Sequence, residues 1–198
     1  YLKELREITN ESGLLLMFDE VQCGVGRTGA LYAYEHSGIA PDILASAKGL
    51  GGGFPVGACL TSEKVASVMV AGSHGSTFGG NPLAMAVGNA VLDVLLEDGF
   101  LDGVSSVANY LKGQLDQLTE RHDEIFTGVR GVGLMLGLQC RNEGYNSDLV
   151  NAAISEGLLT VPAGDNVVRL IPPLIIENDD VDEAIAMLDA ACALLENG

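Results

Sequence analysis

Two short apolar runs, each delivering a charged residue into a glycine-rich loop, constrain this chain more than any other feature. Leu14-Leu15-Leu16-Met17-Phe18 leads into Asp19-Glu20-Val21-Gln22. Ile43-Leu44-Ala45 leads to Lys48 and the run Gly49-Leu50-Gly51-Gly52-Gly53-Phe54-Pro55-Val56-Gly57. Runs of this length suit a buried strand and are too short for a helix. The first is apolar on both faces, which predicts a parallel strand covered by helices. An acid and a lysine then stand at the C-terminal ends of two strands, where open parallel sheets place their ligand crevices.

The flanking sequence extends this pattern. Residues 1–12 read as an amphipathic helix with Tyr1, Leu5 and Ile8 on one face and Gly13 at its end. Strands are expected at 14–18, 43–46 and 56–61, with Ser62 as the N-cap of a short helix. Asn81 and Pro82 open a long helix as N-cap and first residue. Its expected apolar stripe is Leu83, Val87, Val91, Val94 and Leu95, with Gly99 just past its end. A helix follows over 100–121, then strands at 132–139 and 167–171, a helix near 147–156 and a short strand at 158–161. A last helix starts after Asn178, with Asp179, Asp180, Asp182 and Glu183 where the dipole favours negative charge. The whole reads as an α/β protein with a boundary near 98, a sheet-based piece over 1–98 and a smaller α/β piece over 99–198. Opening inside a helix without methionine, the chain reads as part of a longer protein.

Charge and cysteine usage remove several function classes. A formal net charge of −17 at pH 7 argues against nucleic acid or an anionic membrane as partner. No apolar stretch reaches the ~18 residues of a membrane span, and no signal peptide opens the chain. Cys23, Cys59, Cys140 and Cys192 form no C-x-x-C pair, and His36, His74 and His122 form no H-E-x-x-H arrangement. No metal site is expected from this spacing. Reduced thiols in a cytoplasmic protein are the default.

The glycines invite two nucleotide readings, and neither fits. Gly24-Val25-Gly26-Arg27-Thr28-Gly29 has the G-x-G-x-x-G spacing but lies too far from its strand, so a tight loop is the better reading. The Gly49–Gly57 run follows Lys48, whereas a P-loop ends on its lysine. A lysine before flexible glycines can instead form a Schiff base, and pyridoxal phosphate is the common biological aldehyde. That cofactor needs a carboxylate at its ring nitrogen, a group Asp19 could provide. A capping acid and a solvated lysine stay open as the bland alternatives. Ser76 and Thr77, in a glycine-rich loop, could hydrogen-bond a phosphate. Arg169, a charge inside Val167-Val168-Arg169-Leu170-Ile171, requires an anion, from a substrate or from the protein itself.

Taken together, Asp19 to Gly29, Pro41-Asp42-Ile43 through Lys48, Gly51-Gly52-Gly53-Phe54-Pro55 and His74-Gly75-Ser76-Thr77-Phe78-Gly79-Gly80-Asn81-Pro82-Leu83-Ala84 resemble the class III pyridoxal-phosphate-dependent aminotransferases. The Gly-Val-Gly-Arg-Thr-Gly and His-Gly-Ser-Thr forms are most similar to the members that act on N-acetylornithine. The resemblance implies part of a fold type I large domain, a mostly parallel sheet with flanking helices, plus a smaller C-terminal α/β domain. It implies transamination of N-acetylornithine with 2-oxoglutarate in arginine biosynthesis, by a homodimer. Succinylornithine, ornithine or another ω-amine is the alternative substrate, and a non-catalytic assembly piece the alternative role.

Residue by residue, the resemblance makes Lys48 the cofactor-bearing lysine and proton shuttle. Asp19 becomes the partner of the pyridine nitrogen, Gln22 a neighbour of the 3-hydroxyl, and Val21 the ring packer. Glu20 joins the same cofactor-contacting tetrad. Thr77 would bind the phosphate across a dimer interface, Ser76 would touch the acylated substrate, and Arg169 would lie near the substrate carboxylate. Cys23 departs from the threonine common in the family. The family's N-terminal half also supplies a phosphate-binding glycine-threonine pair, a ring-stacking aromatic and a substrate arginine. Their absence leads to the expectation that this is a C-terminal portion, binding cofactor poorly and turning over little by itself.

Overall fold

The computed structural model describes residues 1–196. The chain divides into two compact units, Tyr1–Leu101 and Asp102–Gly198.

In the first unit, α1 (Leu2–Ser12) ends where Gly13 turns to φ 67°, and the Leu14 N–H closes back on the Thr9 carbonyl at 2.9 Å. The next strand begins later than its apolar run suggests. β1 is Met17–Asp19, so Asp19 closes the strand rather than following it. Asp42 explains the delay: its Oδ2 accepts the Leu16 N–H and an Arg6 guanidinium N–H, each at 2.8 Å. The Leu16 carbonyl in turn accepts the Asp42 N–H at 2.8 Å and the Ile43 N–H at 3.2 Å, so side chain and backbone together hold the strand entry. β2 (Ile43–Ser46) runs parallel to β1 in the register Met17↔Ile43, Phe18↔Leu44, Asp19↔Ala45. β3 (Ala58–Thr61) is antiparallel to β2 and completes the order β1-β2-β3. The expected parallel character holds for one pair of strands and not the other. Residues 47–57 fall short of the dozen or more a parallel crossover needs, so the chain returns antiparallel. Burial on both faces is not realised either. Leu16 and Leu44 are buried, but Leu14, Leu15 and Met17 are 60%, 46% and 63% exposed.

Ser62 stands at the N-cap position of α2 (Glu63–Ala66) without its hydroxyl capping the helix. Asn81 does cap α3 (Pro82–Leu95), its Oδ1 accepting the Ala84 N–H at 2.9 Å. The expected stripe of α3 holds in part: Leu95 is buried and Val87 and Val91 are half-buried, Leu83 and Val94 are exposed, and Ala84 and Gly88 complete the buried face. α3 rests on the turn that carries Lys48: a Cβ at Gly88 would lie 3.8 Å from the Leu50 carbonyl oxygen, and one at Gly52 within 2.9 Å of Val91 Cγ2.

The second unit is built on α4 (Phe100–Arg121). A hairpin of β4 (Phe126–Val132) and β5 (Met135–Cys140) stands where one strand over 132–139 was expected. Gly128 and Gly131 interrupt the alternation that would have revealed β4. α5 (Tyr145–Ser155), β6 (Val161–Ala163), β7 (Val167–Leu170) and α6 (Asn178–Glu196) follow. The short strand therefore starts where the expected 158–161 segment ends. The sheet order is β4-β5-β7-β6, antiparallel throughout. Leu115 and Leu118 of α4, Leu138 of β5, Leu149 of α5, Val168 of β7 and Leu188 of α6 are wholly buried and form this unit's core. No described helix is long and apolar enough to cross a membrane.

Asp42 gives the first unit an acid sensitivity. The Leu16 N–H and then the Arg6 guanidinium hold its carboxyl below the usual carboxylate range. A carboxyl lowered by folding stabilises the fold above about pH 4, and that stabilisation is lost as pH falls through the lowered value. Asp42→Asn is therefore expected to destabilise the chain at pH 7 and to flatten its stability loss below pH 4. Urea midpoints across pH check this, and parallel curves for the two proteins would count against it.

Candidate active site

The strand register decides which charged groups can work together. Asp19, the last residue of β1, lies opposite Ala45 of β2, and the Glu20 N–H continues the pairing to the Ala45 carbonyl at 2.9 Å. Lys48 follows three residues after Ala45, so the acid and the lysine leave adjacent parallel strands at the same edge. Both side chains are exposed. Asp19 Oδ1 accepts the Val21 N–H at 3.0 Å, which orients the carboxylate. Asp19 also borders a cavity of about 190 Å³ with Phe18, Cys23 and Tyr34.

Lys48 opens a 3-10 turn, Lys48–Gly51, with its backbone in the left-handed region at φ 47°. The turn is closed by the Leu50 N–H to the Ala47 carbonyl at 3.1 Å and the Gly52 N–H to the Gly49 carbonyl at 3.0 Å. The glycines here are spaces other groups fill. A Cβ at Gly51 would come within 2.8 Å of Val56 Cγ1, and one at Gly52 within 2.9 Å of Val91 Cγ2. Leu50 is buried behind the turn. The glycine run is therefore a close-packed seat for a lysine and not a slack phosphate cradle.

The Gly24–Gly29 segment folds as successive tight turns, with the Gly26 N–H on the Leu31 carbonyl at 3.1 Å and the Gly29 N–H on the Gly26 carbonyl at 3.0 Å. It opens no α-helix. The next helical element is the 3-10 turn Ala33–Ser37, so the anion-binding helix terminus of a dinucleotide fold is not formed.

Glu20, expected among the cofactor contacts, is 3% exposed, and both its carboxylate oxygens are hydrogen-bonded within the chain. Oε2 accepts the Ala33 N–H and Oε1 the Tyr34 N–H, each at 2.7 Å. Glu20 ties the acid tetrad to the 33–37 turn. Cys23 Sγ lies 3.8 Å from Glu20 Oε2, and burial first, then the Glu20 charge, push this thiol up. It is no activated nucleophile.

Val21 and Gln22 are half-buried directly after Asp19. Ser76 and Thr77 lie in an exposed loop, where Ser76 Oγ accepts the Gly79 N–H at 2.9 Å. Arg169 belongs to the second unit. It is half-buried on β7 between Gly137 of β5 and Val161 of β6 and borders a cavity of about 450 Å³ that Asp180 also lines. The structure brings Asp19 and Lys48 to the ends of adjacent parallel strands, with Glu20 beside Asp19 holding the 33–37 turn. Sequence reasoning passed over Val25 and Tyr34. Tyr34 gave no signal, being one tyrosine among five. Val25 stood inside the glycine loop, where a β-branched residue between glycines was the available clue.

Comparison with known proteins gives the family. Residues 1–192 match the protein family described as Aminotransferase class-III. The chain is 54% identical to the acetylornithine aminotransferase of Rhodobacter capsulatus over 99% of its own length and 49% of that protein. It is likewise 54% identical to the acetylornithine aminotransferase of Mesorhizobium japonicum, over 96% of this chain and 47% of the relative. The chain thus spans about half the length of the curated relatives it matches. These shares fix the size of the piece and not its place along the relatives, so the expectation of a C-terminal portion is not carried forward. Among solved structures, the N-acetylornithine aminotransferase of Stenotrophomonas maltophilia superposes with a TM-score of 0.89 at 37% identity, covering 100% of this chain and 52% of that one. An S-selective transaminase from Arthrobacter reaches 0.92 at 30% identity, with 100% and 48% covered. The family match over residues 1–192 and this identity to its relatives make the chain a member of the class III aminotransferase family.

Proposed function

We propose that the full-length protein containing this chain is a pyridoxal-phosphate-dependent transaminase that moves the δ-amino group of N-acetylornithine to 2-oxoglutarate. The observation that carries this reading is the Asp19↔Ala45 register, which presents a carboxylate and Lys48 along one edge. The donor set fits the cofactor. An ionised carboxylate is an acceptor only and suits a protonated ring nitrogen, while a lysine amine on a fixed turn suits an aldehyde carbon. When bound, pyridoxal phosphate supplies the electron sink for the bond broken at the amine-bearing carbon.

The chain's own residues do the rest. Lys48 would hold the cofactor and move the proton at the substrate carbon that bears the amine. The negative charge of Asp19 keeps the ring nitrogen protonated. Val21 would pack on the ring and Gln22 would lie beside the 3-hydroxyl. Thr77 holds the phosphate, Ser76 touches the acylated substrate, and Arg169 binds a substrate carboxylate. Residues 1–98 contribute to the cofactor domain and 99–198 form a smaller α/β domain. The protein works as a cytoplasmic homodimer. Val68, Val70 and Phe78, 73%, 68% and 80% exposed around the loop that carries Thr77, support a subunit contact there.

Borohydride reduction of the cofactor-loaded full-length enzyme, followed by peptide mapping, is expected to leave the cofactor mass on Lys48. An adduct on any other lysine refutes the assignment. A second reading keeps the chemistry and changes the amine. It is supported by the ornithine aminotransferase of Plasmodium yoelii, with a TM-score of 0.90 and 32% identity over 98% of this chain. Kinetics on N-acetylornithine, succinylornithine and ornithine decide between them, and a higher kcat/KM for ornithine would favour the second.

A further inference from the structure

Among the described residues, four non-glycine positions have positive φ: Val25, Lys48, Asp165 and Asn166. Asp165 and Asn166 make the turn from β6 to β7 and are of the residue types that tolerate this conformation. The other two are the costly ones. A β-branched residue at φ 56° is a strained outlier, and such outliers persist only where the surroundings over-determine them.

The two strained residues belong to one contact. Val25 is 3% exposed, and a Cβ built on Gly49, next to Lys48, would lie 3.3 Å from Val25 Cβ and 3.5 Å from its Cγ1. The Val25 side chain therefore rests directly on the backbone of the Lys48 turn. Its own backbone cannot relax easily. The Gly24 N–H is held by the Glu20 carbonyl at 3.1 Å and the Gly26 N–H by the Leu31 carbonyl at 3.1 Å. A Cβ at Gly24 would sit 2.8 Å from the Glu20 carbonyl oxygen, so the loop is pressed onto the tetrad. Behind the Lys48 turn, α3 closes on Leu50 and Gly52. The turn that Lys48 opens thus touches α3 at Leu50 and Gly52 and Val25 at Gly49.

We propose that Val25 is a positioning residue for Lys48, a wedge that keeps the lysine backbone in its left-handed conformation and so fixes where the amine is delivered. This rests on the reading of Lys48 as the cofactor lysine. The wedge also accounts for a strained residue inside a loop that needs nothing more than glycine to turn. Glycine at position 25 would relieve the strain and lose the contact on Gly49.

The test uses the full-length enzyme with Val25→Ala, Val25→Ile and Lys48→Ala, and its first readout is independent of activity. In the cofactor-free enzyme, Val25→Ala is expected to speed amide exchange in peptides covering Ser46–Phe54 at least about tenfold, with peptides of the second unit unchanged. In the loaded enzyme it is expected to lower kcat about 10–100-fold with little change in KM, as for a misplaced reacting group. Val25→Ile, which keeps the wedge, should recover most of both. Unchanged exchange over Ser46–Phe54 overturns the proposal, as does faster exchange with wild-type kcat. Exchange that rises equally in both units marks a general loss of stability and also overturns it. If Lys48→Ala is inactive while Val25→Ala is unaffected, the wedge alone fails. If Lys48→Ala stays active, the cofactor-lysine reading fails and takes the wedge with it.

Discussion

Lys48→Ala in the full-length enzyme is expected to lower kcat by roughly 10³-fold, within the range observed when a positioned acid–base group is removed. Binding should suffer less, because Asp19 and the other polar groups of the site remain. The same protein should show no borohydride-fixed cofactor at this position. Methylamine should restore part of the activity, since a small amine can carry the proton that the side chain no longer moves. The backbone supplies a further condition. Position 48 sits at φ 47°, where alanine is strained much as lysine is. A loss of activity in Lys48→Ala without amine rescue would therefore be compared with Lys48→Gly, which tolerates the conformation. If Lys48→Gly with methylamine is as inactive as the unrescued protein, the proton-transfer role is wrong.

Glu20→Ala is expected to destabilise the protein by about 2–4 kcal/mol, because two backbone N–H groups lose a charged acceptor. The Ala33 and Tyr34 N–H groups would lose bonds of 2.7 Å each, and the 33–37 turn would come loose from the tetrad. Glu20→Gln keeps one acceptor and should cost less. The diagnostic is the separation of effects in chemical denaturation and cofactor absorbance. An acid that contacted the cofactor would change the absorption spectrum with little change in stability. An acid that ties the tetrad to the turn should shift the urea midpoint first and reduce cofactor affinity only as a consequence. A spectral shift at unchanged midpoint would assign Glu20 to the cofactor site.

Both expectations depend on details that chain order could not supply. The apolar run made the strand that ends at Asp19 legible. What lies on each side of it was not. Glu20 meets Ala33 and Tyr34 only because the glycine loop doubles back, and the hydrogen bonds that fold it link residues up to fourteen positions apart. The buried face of α3 was legible only in part, through Val87, Val91 and Leu95, for a related reason. Periodicity marks the large apolar residues, but the face that approaches a turn closely is chosen by what fits, here Ala84 and Gly88. β4 escaped because Gly128 and Gly131 break its alternation, and the hairpin is secured by pairing with β5.

Residue chemistry alone determined the candidates. A lysine ahead of glycines, an acid at a strand end and the order of the two glycine runs were enough to reject a P-loop and to nominate Asp19 and Lys48. Local signals also determined Gly13 as a helix end and Asn81 as a cap, because those choices are settled within four residues. The tertiary structure decided everything that required two distant backbones to meet. It set the Asp19↔Ala45 register that gives acid and lysine a common edge. It turned Glu20 inward as a support and pressed Val25 onto Gly49. The physical reason is range: hydrogen-bond preference and φ tolerance act on a residue and its neighbours, whereas register, wedge and burial depend on which segments the whole fold packs together.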